Sequence, residues 1–453
     1  MSTTGGTRPA AADGLTIGVV GPVPPHRSNM AEETAWMASK FAERGAEVRL
    51  VAVTDHQDAN DRQPGRLPWT SSDQISTVAE WRAGTEGAER AGLRVLAGAD
   101  AVVVHHQLSR HGHGGLHGPD DAAGSPLVRF LQRCPAPTVL VLHDVPSATD
   151  PASRDEIQRL VRLADAVVVQ SEVARRRTLA ADGDVDLTLS GRSRSDDHDR
   201  VHIVPRAAVL GAPTATPHSG MPRPGRASRD GMPTVLTFGF LDPEKAVEDA
   251  VVAVAELDDL SAPVRYEVCG PTASDVLDLE GEHYRSGLRI LAKALKVDDR
   301  VLVQDGYLPT SALARKLAEA DAVVLPYQSH DTTSSAALVE ALAAGRPVVA
   351  TAFPHAVELL SDGAGILVAP GDRAAMTSAI RTVLARPRTA AAMSQRAAEV
   401  GRQFHPDRVL DAYLDLLGSL RNEVDLRAAS TPPRHGALPD AEVQGNRSEP
   451  LTA

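Results

Sequence analysis

Cysteine is nearly absent from this chain. Among 453 residues only Cys134 and Cys269 occur, far apart and outside any CxxC or Cys/His cluster. That excludes a disulfide framework and a cysteine-rich zinc module. It makes a reduced, cytoplasmic setting the expectation, with both thiols read as small buried apolar residues. Long hydrophobic runs are missing as well: nothing approaches the roughly 20 apolar residues that span a bilayer. The opening MSTTGGTRPAAADG lacks the apolar centre of a signal peptide. Positive charge is in deficit, with a formal net charge of -12. A general nucleic-acid binder needs basic stripes, so that class is disfavoured. There is no Walker A run, no clean G-x-G-x-x-G after the first strand, and no G-x-S-x-G nucleophile elbow.

What is present is an alternation of apolar strands and amphipathic helices. Strands are expected at Leu15 to Val20, Val48 to Val53, Ala101 to His105, Thr138 to Leu142, Ala166 to Gln170 and Val201 to Val204. Helices are expected at Glu32 to Arg44, Ser76 to Gly92 and Asp155 to Leu163. The second half repeats the pattern, with strands Thr234 to Phe238, Arg265 to Cys269, Val301 to Gln304, Ala322 to Leu325 and Val348 to Thr351. Such alternation implies an α/β protein with parallel sheets. A length of 453 residues suits two to three domains with ample core. The expected organisation is a tail over 1–14, a domain over 15–210, a linker over 211–232, a domain over 233–400, a helix over 401–423 and a tail over 424–453. The turn- and charge-rich segment 182–200 reads as an exposed insertion.

The segment ADAVVLPYQSHDTTSSAALVEALAAGRPVVATAFPHAVELLSDGAGILVAPGD, Ala320 to Asp372, is the most informative. A strand leads into a polar loop, and the loop opens into an Ala-rich helix. In an open parallel sheet, ligands bind at such a place. Ser334, Ser335 and Ala336 are small enough for an anion to approach their N–H groups and the positive end of the helix dipole. Glu340, further along the helix, is placed to accept hydrogen bonds from a ribose. After the strand ending at Phe238, Gly239 opens a short loop and Lys245 stands at a helix start, where it offers a point charge to a phosphate.

This pattern resembles the donor-binding half of the GT-B glycosyltransferases, glycosyltransferase family 4 in particular, and a bacterial subgroup with a serine-containing loop. Glu340 matches the second Glu of the family's Glu-x7-Glu, and ALAAGRPVV, Ala341 to Val349, matches the family's run directly after that Glu. Pro326-Tyr327, Pro354 to Leu360 and Gly365 to Asp372 match the subgroup. Thr332 stands where the first Glu would be, Phe240 in place of an arginine, and Ala246 in place of a glycine. The resemblance covers about residues 15–420.

The resemblance implies two Rossmann-like domains facing across a cleft, with a C-terminal helix crossing back to the first. It implies a retaining, metal-independent hexosyl transfer from a nucleotide-diphosphate sugar to an acceptor, which is a glycan, a lipid or a small molecule. No cofactor beyond that co-substrate is expected. Lys245 and the serine loop would take charge on the leaving diphosphate, and Tyr307 and Leu308 match positions flanking the nucleobase. Gly21, Ser28 and Asn29 occupy the loop where the family has paired glycines near diphosphate and acceptor. His106 with Gln107 matches a His-Glu pair, and His143, at a strand end, is the candidate for steadying the sugar. Each has a plain structural alternative: a capping histidine, an exposed lysine, an ordinary strand-to-helix connection. Glu282 and Arg285 read as a helix ion pair.

Metal binding is not expected. HGHGGLH, His111 to His117, resembles a metal tract in composition, but no Cys or carboxylate set completes it. Peripheral contact with the inner face of a membrane stays open through the basic run Arg175, Arg176 and Arg177, with a solvated helix face as the competing reading. A second functional reading also stays open: a degenerate GT-B protein that binds a nucleotide-sugar or a partner without turnover. Thr332, Phe240, Ser28, Asn29 and Gln107 speak for it.

Overall fold

The computed structural model describes residue 12 and residues 14–54, 75–82, 87–107, 126–145, 147, 151–180, 199–210 and 231–430. The histidine tract 111–117, and nearly all of the expected insertion 182–200 and linker 211–232, lie outside these.

The first domain runs β1 (Thr16–Pro22), α1 (Asn29–Glu43), β2 (Glu47–Thr54), β3 (Ile75–Arg82), α2 (Ala88–Val95), β4 (Ala101–His106), α3 (Pro126–Arg133), β5 (Thr138–Leu142), α4 (Pro151–Leu163), β6 (Ala166–Val169), α5 (Glu172–Ala180) and β7 (Val201–Ile203). The second runs β8 (Thr234–Phe238), α6 (Val247–Ala255), β9 (Arg265–Cys269), α7 (Ser274–Glu280), α8 (His283–Ala294), β10 (Val301–Val303), α9 (Thr310–Glu319), β11 (Ala322–Leu325), α10 (Ala336–Ala343), β12 (Val348–Thr351), α11 (Pro354–Leu360), β13 (Gly365–Val368), α12 (Arg373–Ala385) and α13 (Pro387–Gly401). A last helix, α14, spans Pro406–Ser430.

Both sheets are wholly parallel, in the orders β3-β2-β1-β4-β5-β6-β7 and β10-β9-β8-β11-β12-β13. The central strands are Val- and Leu-rich and buried along their whole length, as helices on each side of a parallel sheet require. In each sheet the order reverses once, between β1 and β4 and between β8 and β11. Crevices open beyond the carboxyl ends of those strand pairs. The loops leaving β1, β8 and β11 therefore all begin at switch points.

The helix expected over Ser76 to Gly92 is instead an edge strand, β3, followed by the short helix α2. Ile75, Val78 and Trp81 share a three-residue spacing that mimics a helix face. Pairing with β2 overrides it, helped by the β preference of Ile, Thr, Val and Trp.

Helix α14 closes the fold. Val409, Leu410, Tyr413, Leu414, Leu417 and Leu420 form one helical stripe packed on Ile17, Val19, Met37 and Phe41 of the first domain. At about 1.5–3 kcal/mol for each large buried aliphatic side chain, this stripe holds the crossover in place. Arg44 braces it, pairing with Asp407 at 2.9 Å and Asp411 at 2.8 Å. The helix continues to Ser430, past the expected end at 423. At the other end Ala12, placed in a tail by sequence, is buried in the same core and donates its N–H to Arg44 O at 3.2 Å.

Candidate active site in the interdomain cleft

Helix α10 starts where its sequence says. Ser335, in extended conformation, caps it by accepting the Leu338 N–H at 3.3 Å. The loop before it does not hang free. It docks on the strand ends of the first domain: Asp331 Oδ1 accepts the Ser147 N–H at 2.9 Å, and Thr333 Oγ1 accepts the Val145 N–H at 3.1 Å. Ser171 Oγ donates to Thr333 O at 2.7 Å, Thr333 N–H donates to Asp144 Oδ1 at 3.2 Å, and the Ser334 hydroxyl donates to Gln170 Oε1. The Ser335 N–H is taken by His355 Nδ1 at 2.9 Å and is therefore not offered to an anion. Burial pushes the His355 pKa down to about 4, so the ring is neutral and able to accept. Thr332, at the place of the family's first Glu, gives its carbonyl to the His355 N–H at 3.2 Å.

Lys245 ends a short 3-10 turn, Pro243–Lys245, capped by Asp242. Its ammonium donates to Phe240 O and lies 5.9 Å from the ring centroid of Tyr327. Burial lowers its pKa to about 8, against the pull of Asp242, Asp275 and Glu32. Gly239, at φ 109, sits against the ammonium, and a Cβ there would lie 3.6 Å from Nζ. Ala246 adopts a left-handed φ of 45, the conformation for which the family's glycine is suited. Phe240 buries its ring, so the missing arginine leaves an apolar contact instead of a second cation. Tyr307 stands at the mouth and donates to Glu32 across the cleft, whereas Leu308 is tucked against the second domain's core.

In the first domain, Gly21 is needed for packing. A Cβ there would meet Thr34 Oγ1 at 2.7 Å and the His105 Cβ at 3.0 Å. Ser28 is the N-cap of α1 and accepts the Ala31 N–H at 3.1 Å. Asn29 gives its carbonyl to Arg206 at 3.0 Å. Next to them the Arg27 N–H donates to Ser274 Oγ at 2.8 Å, so this loop also touches the second domain. His106 is buried at the end of β4, and Gln107 donates to Asp144 at 3.2 Å.

Three expectations are corrected. Glu340 is not placed to bind a ribose: it is buried, and its two oxygens accept the N–H groups of Val209 and Leu210 at 2.7 and 2.8 Å. His143 does not present its ring to the cleft. It is 5% exposed, with Nε2 2.9 Å from His105 Nδ1 and Nδ1 3.7 Å from Glu33 Oε2. Desolvation holds the pKa of both histidines down at about 3, so both are neutral. The arginine run is not a free basic face. Arg175 donates to Val201 O at 3.3 Å and Arg177 to Val145 O at 2.9 Å, and only Arg176 is mostly exposed.

The residues that sequence reasoning missed are carboxylates whose partners are distant in sequence, one buried and one exposed. Glu33 accepts Gln170 Nε2 at 2.8 and 3.0 Å and pairs with Arg206 at 2.9 Å. It lies on the stripe of Met30, Thr34, Met37 and Phe41, where a carboxylate is itself a signal. Glu358 on α11 accepts the first N–H groups of α5, those of Glu172 and Val173, at 2.9 Å each. Glu282 and Arg285 do pair, at 2.9 Å. Among the described residues no three His, Cys, Asp or Glu side chains are grouped to hold a metal, and no helix is long and apolar enough to cross a membrane.

Residues 223–400 match the family described as Glycosyl transferases group 1. The chain is 32% identical to a glycogen synthase of Mycobacterium tuberculosis over 185 residues, 40% of each chain. It is 30% identical to a D-inositol 3-phosphate glycosyltransferase of Kineococcus radiotolerans over 60% of each. It thus spans 40% to 60% of the length of these curated relatives. The structure of Anabaena HepE in complex with UDP-glucose is similar over 92% of this chain and 100% of that one, with a TM-score of 0.62 and 15% identity. The two facing parallel-sheet domains and the returning helix are the GT-B glycosyltransferase fold, and residues 223–400 carry the sequence pattern of the group 1 glycosyl transferases.

Proposed function

We propose that this chain is a retaining glycosyltransferase that moves a hexosyl group from a nucleoside-diphosphate sugar to an acceptor hydroxyl on a glycan, lipid or small molecule. The observation that carries the reading is a convergence. The serine loop, Lys245 and the Ser28-capped start of α1 all issue from switch points of two facing sheets. On this reading the Lys245 ammonium and the N–H groups of Ser334 and Ala336 would receive the charge of the leaving diphosphate. Preorganised charge of this kind lowers the barrier to its departure without a dedicated metal. The leaving phosphate then takes the acceptor's proton. His105 and His143, neutral and enclosed, are not asked to act as bases.

The complex of HepE with UDP-glucose supports a uridine nucleotide as the first donor to try. Calorimetry of UDP-glucose, ADP-glucose and GDP-mannose, with the wild type and Lys245→Ala, tests the reading. Base-selective binding that the variant loses is the expected result. Absence of binding across the panel overturns it.

One observation favours a second reading, binding without turnover. Thr332 supplies no carboxylate and Glu340 is already engaged by backbone. A large gain in turnover in Thr332→Glu would select that reading.

A further inference from the structure

We infer that Ser334 reads a hydroxyl of the transferred sugar as a hydrogen-bond acceptor, because Gln170 holds the serine's own proton from across the domain seam. This role rests on the donor-site reading above.

The polarity of one buried chain of hydrogen bonds sets the serine's direction. Arg206 can only donate, and it pairs with Glu33 at 2.9 Å, where the Glu33 side chain is 3% exposed. Glu33, ion-paired, can only accept. Gln170 offers either an amide NH2 or a carbonyl oxygen, and only the NH2 satisfies a carboxylate. Its Nε2 lies 2.8 and 3.0 Å from the Glu33 oxygens, which turns Oε1 to the opposite side. There it meets the Ser334 hydroxyl. A carbonyl oxygen cannot donate, so the serine must.

A hydroxyl has one proton and two lone pairs. With its proton held, half-buried Ser334 has only lone pairs left to offer a ligand. A phosphate oxygen would meet them lone pair to lone pair, whereas a sugar O–H would complete a hydrogen bond. The neighbouring hydroxyls are otherwise engaged: Thr333 with the Val145 N–H, and Ser335 as the cap of α10. Ser334 sits where the loop meets the first domain. In a donor lying between the domains, with its diphosphate at Lys245, the hexose is the end that reaches this seam.

The test is calorimetry with UDP-glucose against UDP, and with ADP-glucose against ADP. The variants are Ser334→Ala, Ser334→Thr and Gln170→Met. Loss of one hydrogen bond predicts that Ser334→Ala weakens the nucleotide-sugar about tenfold and changes the free nucleotide less than about twofold. Ser334→Thr, which keeps the hydroxyl, restores most of the affinity. Gln170→Met releases the serine's proton and lowers the preference for nucleotide-sugar over nucleotide, a ratio that a purely structural role would leave alone. Equal weakening of sugar and free nucleotide in Ser334→Ala, or no weakening, overturns the inference while the donor site stands. Failure of the wild type to bind any of the four ligands overturns both.

Discussion

Glu340 Oε2 accepts the N–H of Leu210 at 2.8 Å, one residue beyond the Val209 N–H held by Oε1 at 2.7 Å. Helix α10 of the second domain thereby grips the stretch of chain that leaves the first domain. Ala208 reinforces the same crossing by donating to Phe404 O at 2.8 Å. The carboxylate is an anchor between domains. Glu340→Ala leaves two backbone N–H groups without their charged acceptor, and hydrogen bonds to charged groups contribute about 1.5–3 kcal/mol each. The expected outcome is a loss of about 3 kcal/mol in denaturant unfolding. Nucleotide-sugar affinity should fall much less than in Lys245→Ala. A loss of binding as complete as that of Lys245→Ala, with stability intact, would restore the ribose role.

Lys245 gives a pH signature. Its pKa in the folded chain is about 8, below the ordinary 10.5. Between those values the unfolded chain binds the proton and the folded chain does not. The lysine's burden on stability is therefore full below pH 8 and is relieved as pH rises toward 10.5. Affinity for a diphosphate runs the other way, since the ammonium is lost as pH climbs through about 8. Calorimetry with UDP from pH 7 to pH 9.5 should show weakening on the alkaline side. Lys245→Arg, charged throughout, should flatten the profile.

The buried histidines set the acid limb. His105 and His143 titrate at about 3 in the folded chain, and His355 at about 4, against 6.5 when exposed. Each pKa is depressed, so the unfolded chain takes up protons first as pH falls below 6.5. Stability is complete above that pH and declines progressively toward 3. The slope reaches about 1.4 kcal/mol per pH unit for each histidine. Melting temperature followed from pH 7 to pH 4.5 should fall, and His355→Asn should make that fall shallower. An unchanged slope in the variant would assign the acid limb to other groups.

Much of the fold is legible because local and tertiary signals agree. The aliphatic runs at β4, β5 and β11 leave no choice but a buried parallel strand. Ser335 before an Ala-rich run announces a helix start, and Lys245 after Gly239 announces a charge at a loop. β3 escapes because its three-residue apolar spacing fits a helix, and only its edge position beside β2 decides. The polar floor escapes for another reason. Glu33 and Gln170 stand 137 residues apart, and Thr333 and Val145 are separated by 188. No window of sequence contains both partners. The roles of Glu340 and His143 are illegible on the same ground: what a buried polar group does depends on which distant backbone or ring satisfies it.

The seam between the domains is held at one end by Glu358, whose carboxylate occupies the N-terminus of α5 at 2.9 Å from the N–H groups of both Glu172 and Val173. A helix start carries partial positive charge and unpaired N–H groups, so a carboxylate from the other domain completes it as an N-cap would. Around it, Asp331 accepts the Ser147 N–H at 2.9 Å and Arg177 donates to Val145 O at 2.9 Å. The contacts of Glu358 and Asp331 break when the cleft opens. Glu358→Ala should therefore shift the balance toward open forms by about 1 kcal/mol, the ordinary worth of a cap. Amide exchange should quicken at 172–174 and at 331–335, and small-angle scattering should give a larger radius of gyration. Arg381→Ala, whose ion pair with Asp259 at 3.0 Å lies wholly within the second domain, is the control for both measurements. Unchanged exchange at 331–335 in Glu358→Ala would mean that the serine loop is held by its own contacts with Asp144, Val145, Ser147, Gln170 and Ser171, without help from Glu358.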